Sequence, residues 1–172
     1  MILGLTASIY TMAHVLLSLV GLVSGLVVLA GLIAAQRREG WTALFLATTV
    51  ATSVTGFGFP FDHLLPSHIV GILSLAVLAL AILARYPLGL AGAWRRVYVV
   101  CAVVALYFNV FVLVVQAFLK VPALHALAPT QAEPPFAVAQ GLVLVLFVAL
   151  GTLAAKRFGP AAIQGSRRGA VR

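Results

Sequence analysis

The chain reads as five long apolar blocks, at about 8–35, 41–57, 67–84, 94–119 and 136–155, separated by short polar or charged interruptions. A helix rises 1.5 Å per residue, so about 20 residues cross a hydrocarbon core of roughly 30 Å. The first, fourth and fifth blocks meet that length and the third is slightly short. The second is the weakest span, because Thr42, Thr48, Thr49, Thr52, Ser53 and Thr55 dilute it. All eight prolines lie in the interruptions or beyond the last block, where no helix interior is broken. The pattern predicts an all-α, polytopic integral membrane protein. Its single domain, 1–155, is a bundle of about five transmembrane helices, followed by a basic tail, 156–172, expected to be disordered.

Composition supports lipid as the solvent. Hydrophobic residues make up 63% of the 172 and charged residues 8%, against roughly 25% charged in a soluble domain. A net charge of +8 would suggest nucleic acid in a soluble protein, but here the positive residues sort by side of the membrane. Arg37 and Arg38, then Arg85, Arg95 and Arg96, then Lys156, Arg157, Arg167, Arg168 and Arg172 fall together if there are five spans, with Lys120 opposite. The positive-inside rule then puts the N-terminus outside and the C-terminus in the cytoplasm. Omitting the second span would scatter the arginines to both faces, so the charge pattern argues for it. The first block lacks a basic leader and runs well past the roughly 7–15 apolar residues of a signal peptide, so it reads as a retained span. The expected setting is the plasma (inner) membrane of a bacterium. The expected partners are the lipid bilayer and a membrane protein or second copy, with no nucleic acid.

With this topology all four histidines lie toward the outer face. His14 is near the outer end of the first span, while His63 and His68 share the stretch 57–68 with Asp62, one of three acidic residues. His125 and Glu133 occupy the second outer connection. On the first span His14, Ser18, Gly21 and Gly25 share one helical face; on the second, Thr48, Thr52 and Thr55 share another. On the fourth, Tyr98, Asn109 and Gln116 line up, and Gln140 begins the fifth. Buried amides need partners, so Asn109, Gln116 and Gln140 are expected to face the bundle interior. An outward-opening polar pocket beneath the two connections follows, with His14, Asp62, His63, His68, Asn109, Gln116, His125 and Glu133 as candidate ligand-binding residues.

Imidazole and carboxylate suit a divalent metal, which makes Asp62, His63 and His68 candidate metal ligands, although their spacing matches no strong motif. A haem would need two histidines on facing helices, for which His14 and His68 are the pair available. A quinone would use a histidine or carboxylate for protons, between aromatic walls drawn from Phe57, Phe59, Phe61 and Tyr107. Hydrolase and phosphate-binding motifs are absent, ionisable groups are missing from the middle of the spans, and no inverted repeat is evident. One cysteine, Cys101, allows no intramolecular disulfide or thiolate cluster. Two functions of different class remain: a structural or accessory membrane subunit, and an outer-face binding or redox module holding a metal, haem or quinone.

Overall fold

A computed structural model describes residues 6–59 and 66–159. Within them the chain forms α1 (Ala7–Ile33), α2 (Glu39–Gly56), α3 (Pro66–Arg85), α4 (Trp94–Lys120), α5 (Pro122–Leu127) and α6 (Pro134–Arg157). The long helices start and stop within two residues of the apolar blocks. The short α5 was not anticipated in the second connection. Proline opens α3, α5 and α6, the position where its missing N–H costs nothing. Asp62, His63 and the tail from Pro160 onward lie outside the described residues.

Four helices, α1, α3, α4 and α6, are long and apolar enough to cross a membrane. Helix α2 has 18 residues but more hydroxyl side chains. It nevertheless runs antiparallel to α1 along nearly its whole length. The turn between them is tight: Ala35 adopts φ 56°, Gln36 N–H donates to Gly31 O at 2.8 Å and Ala35 N–H to Leu32 O at 3.2 Å. That pair of bonds satisfies the last carbonyls of α1.

Helices α1 to α4 each pack on their neighbours in a ring, and α6 lies across α4 and α1. Small residues allow the close approach. A Cβ on Gly25 would fall 2.6 Å from Leu106 Cδ1 and 2.8 Å from Phe45 Cε2, so only glycine lets α1 seat against α2 and α4 here. Most of the apolar core lies in one half of the bundle. It joins Val28 and Leu32 of α1, Phe45 of α2, Leu78 and Ala81 of α3, Leu106 of α4, and the connection residue Leu90.

The end nearest this core carries the arginines. Buried Arg85 pairs with Glu39, which also meets Arg37 Nε at 2.7 Å. The Arg85 guanidinium lies 5.0 Å from the centre of the buried Tyr98 ring, a cation–π arrangement that spreads the charge over an apolar floor. This network holds the start of α2 against the end of α3.

Candidate functional site

At the opposite end the helices part. A cleft of about 190 Å³ opens between α1, α2, α3 and α4. Its polar wall comes from His14, Ser18, Thr52, Ser53, Ser74 and Asn109, and its apolar wall includes Val15, Leu19, Val70, Phe108 and Val112. Beneath it, Asn109 Nδ2 donates to Thr49 Oγ1 at 3.2 Å, which closes the floor. Ser53 Oγ donates to Ser74 Oγ at 3.1 Å, joining α2 to α3. Thr52 Oγ1 is buried in the wall with no hydrogen-bond partner among the described residues, an unmet polar group beside the cleft.

The position of His14 is set by Thr55. Its Nδ1 lies 2.8 Å from Thr55 Oγ1, and Thr55 Oγ1 lies 2.7 Å from Ala51 O. Two oxygens at that separation require a proton between them, and threonine has one to give. The hydroxyl therefore donates to Ala51 and accepts from His14, which assigns the imidazole proton to Nδ1. In that tautomer Nε2 carries the lone pair, and His14 is among the residues that line the cleft. Tyr10 Oη donates to Thr55 O at 2.7 Å, and Phe59 meets the His14 ring edge-on at 5.2 Å. A histidine held through one nitrogen and open at the other is the arrangement used to accept a proton or ligate a metal.

Of the other described candidates, Asn109 lines the same cleft as His14, whereas His68, Gln116, His125 and Glu133 are not among its lining residues. Buried His68 stacks on Phe57, with ring centres 5.5 Å apart, and is not part of the cleft lining. His125 is exposed on α5. Glu133 Oε1 accepts from Thr130 Oγ1 at 2.8 Å and from Thr130 N–H at 3.2 Å. Those bonds, the side-chain one foremost, hold its carboxyl below the usual carboxylate range and close the turn before α6. Among the described residues no three of His, Cys, Asp and Glu come together.

The amides divide. Asn109 is inside the bundle, and Gln140 Nε2 donates to Phe111 O at 3.2 Å, tying α6 to α4. Gln116 is exposed, contrary to the inward orientation expected from the shared face. It follows the cleft residues Val112 and Leu113 by about one turn on a side of α4 left open, although Phe118, two residues on, is buried against Phe136 of α6. It sits beyond the cleft mouth.

Tyr10, Thr52, Ser53 and Ser74 were not singled out as site residues from the sequence. Tyr10 precedes His14 by one turn and Thr52 precedes Thr55 by three residues, so both lie on faces already marked as polar. Ser53 and Ser74 carry no signal of their own.

Compared with protein-family models, with curated proteins and with solved structures, the chain matches none of them. The functional reading rests on the geometry.

Proposed function

We propose that this is a five-span protein of a plasma membrane that binds a small, lipid-soluble, hydroxyl-bearing ligand in the cleft at His14. The observation that carries the reading is the hydrogen-bond chain from His14 Nδ1 through Thr55 to Ala51. It leaves Nε2 as an acceptor beside an apolar slot. A hydroquinone-type ring suits that slot: one hydroxyl donates to His14 Nε2, the ring packs on Phe108 and Val112, and the unmet Thr52 hydroxyl takes a second polar contact.

The volume bears on the choice of ligand. About 190 Å³ lies below the roughly 300–1,000 Å³ of usual cofactor pockets, and a haem macrocycle exceeds it. His68, the second axial ligand that a haem would need, stacks on Phe57 away from the cleft. The metal reading now depends on Asp62 and His63, which lie outside the described residues, so the quinone class has the better support.

Five spans, with the N-terminus outside, fit the antiparallel run of α2 beside α1 and the gathering of described basic residues at one end. A second reading, a structural or accessory subunit, has one observation in its favour. Helix α6 buries only Phe147 and Ala154 and leaves Val138, Leu142, Val145 and Val148 59–68% exposed, a face open to a partner helix or second copy.

The test uses tetramethylhydroquinone titrated into protein in nanodiscs, with ¹⁵N-histidine spectra as the readout. The reading expects saturable movement of the His14 Nε2 resonance, abolished in Asn109→Leu or weakened in Thr52→Val. An unmoved His14 resonance at saturating probe overturns the hydroquinone assignment.

A further inference from the structure

A second groove lies on the lipid side of the bundle, between α4 and α6. At the arginine end it is an open cleft lined by Arg95, Arg96 and Lys156, with Val100, Gly151 and Thr152 leading inward. From those same three residues an apolar trough of about 250 Å³ continues along Val103, Val104, Leu144 and Val148. Tyr107 and Phe147 close its deep end, with ring centres 5.7 Å apart. From Arg96 to Tyr107 the groove follows about 16 Å of α4 at 1.5 Å per residue, parallel to the helices rather than across them.

The shape comes from small residues. Gly151 forms the step between head and trough, and a Cβ there would come 3.1 Å from Val103 Cγ1. Thr152 turns its hydroxyl to its own Val148 O at 2.7 Å and so presents a methyl to the trough. Among the described residues the charge at the head is uncompensated. Of the two described acidic residues, Glu39 is held by Arg85 and Arg37, and Glu133 is at the other end of α6. The Arg95 Nε–H is buried without a hydrogen-bond partner among the described residues. The start of α4 lacks a side-chain cap, which adds the positive end of a helix dipole to the same spot.

We infer that this groove is a binding site for one anionic phospholipid, with its phosphate held by Arg95, Arg96 and Lys156 and one acyl chain in the trough that ends at Tyr107 and Phe147. A basic head joined to an apolar channel of chain length distinguishes such a site from general attraction to the membrane surface. A soluble anion would use only the head, and a partner helix would need no cluster of three cations.

Native mass spectrometry of the full chain separates these cases, using phosphatidylglycerol, phosphatidylcholine of the same chain length, and inorganic phosphate as probes. Each basic residue near an anionic lipid is worth about fivefold in affinity. Removing all three, as R95Q/R96Q/K156Q, should therefore lower phosphatidylglycerol retention on the order of a hundredfold. Lys120→Gln, at the other end, should leave it unchanged. Gly151→Leu should reduce phosphatidylglycerol retention while leaving phosphate binding intact, and a thermal melt of each variant shows that it is folded. Equal retention of the two lipids, phosphate competing as well as the lipid, or retention indifferent to the triple substitution overturns the site.

Discussion

Thr55→Val tests the site at the atom on which it depends. Valine keeps the shape and removes the hydroxyl that accepts from His14 Nδ1 at 2.8 Å. The hydroxyl meets His14 Nδ1, Ala51 O and, more weakly at 3.2 Å, Thr52 O. The bond from Tyr10 goes to the Thr55 backbone carbonyl and survives. The bond to Ala51 O is a local return to the helix backbone, so its loss costs little. The His14 bond remains as the main loss, worth about 0.6 kcal/mol on average and up to roughly 1.7 for side-chain bonds inside membranes. The fold should therefore lose about 1 kcal/mol while the imidazole loses the group that fixes its tautomer. Histidine ¹⁵N spectra should show His14 protonated at Nδ1 in the parent, a mixture of tautomers in Thr55→Val, and the parent pattern again in Thr55→Ser. Affinity for tetramethylhydroquinone should fall in step, by about fivefold for 1 kcal/mol. A parent protein carrying the His14 proton on Nε2 refutes the assignment, as does a Thr55→Val spectrum identical to the parent's.

Four further outcomes are expected. Gly25→Ala should destabilise by about 1–3 kcal/mol through overpacking against Leu106 and Phe45, measured by thermal unfolding in detergent, with the cleft itself unaltered. Glu39→Ala leaves buried Arg85 without its carboxylate. Because Glu39 is 53% exposed, the cost should be about 1–3 kcal/mol, below the 3–5 of a fully buried pair, and a melt unchanged from the parent would contradict the latch. The carboxyl of Glu133 titrates below its ordinary range when folded, so its contribution is complete above the unfolded carboxylate pKa and is lost as pH falls through the folded one. Protection from hydrogen exchange at the start of α6, taken relative to the intrinsic rate at each pH, should fall on acidification, and Thr130→Ala should remove most of that loss. In a Cys101→Ala background, single cysteines at Gln36 and Ala91 should be shielded from an impermeant thiol reagent in intact cells and one at Pro129 should react; the reverse pattern inverts the topology.

The helices were legible because lipid imposes length and proline and arginine punctuate. The blocks end where Pro66, Arg85, Trp94 and Pro134 stand. The second block was legible as a helix, but its role as a span rests on the sorting of arginines around it, and by apolarity it falls short of the four helices able to cross a membrane. Helix α5 was not legible, because six residues give too few turns for a periodic signal. The cleft was half legible. The polar faces of α1 and α2 could each be read, but not that His14 meets Thr55, since that depends on the register of the hairpin. Once Ala35 is fixed as the turn, residues nearly equidistant from it face each other: Gly31 with Arg38, Gly25 with Phe45, Gly21 with Thr49, and His14 with Thr55. The inward placement of Gln116 failed for a different reason. Helical spacing gives the face a residue occupies but not which side of the helix its neighbours cover at each level: Gln116 is exposed while Phe118, two residues on, is buried against Phe136.

The two ends of the bundle divide stability from binding. Val28, Phe45, Leu78, Leu106 and their neighbours fill the arginine half, and Gly25 with the Arg85–Glu39 pair draws the helices tight there. At Gly21 the packing changes character: the atoms that a Cβ would meet are the hydroxyls of Thr48 and Thr49 and the amide of Asn109. Beyond that level the space between helices is lined by hydroxyls on one wall and apolar side chains on the other, and is left partly empty. Such a cavity costs stability, because its walls forgo contacts and the Thr52 hydroxyl forgoes a partner. A bundle held firmly at one end can sustain that loss at the other, and a ligand that fills the gap recovers it. The consequence is a gradient along the helix axis. Substitutions below Asn109 should register as changes in unfolding, and those above it, at His14, Thr52 or Thr55, as changes in what the protein retains.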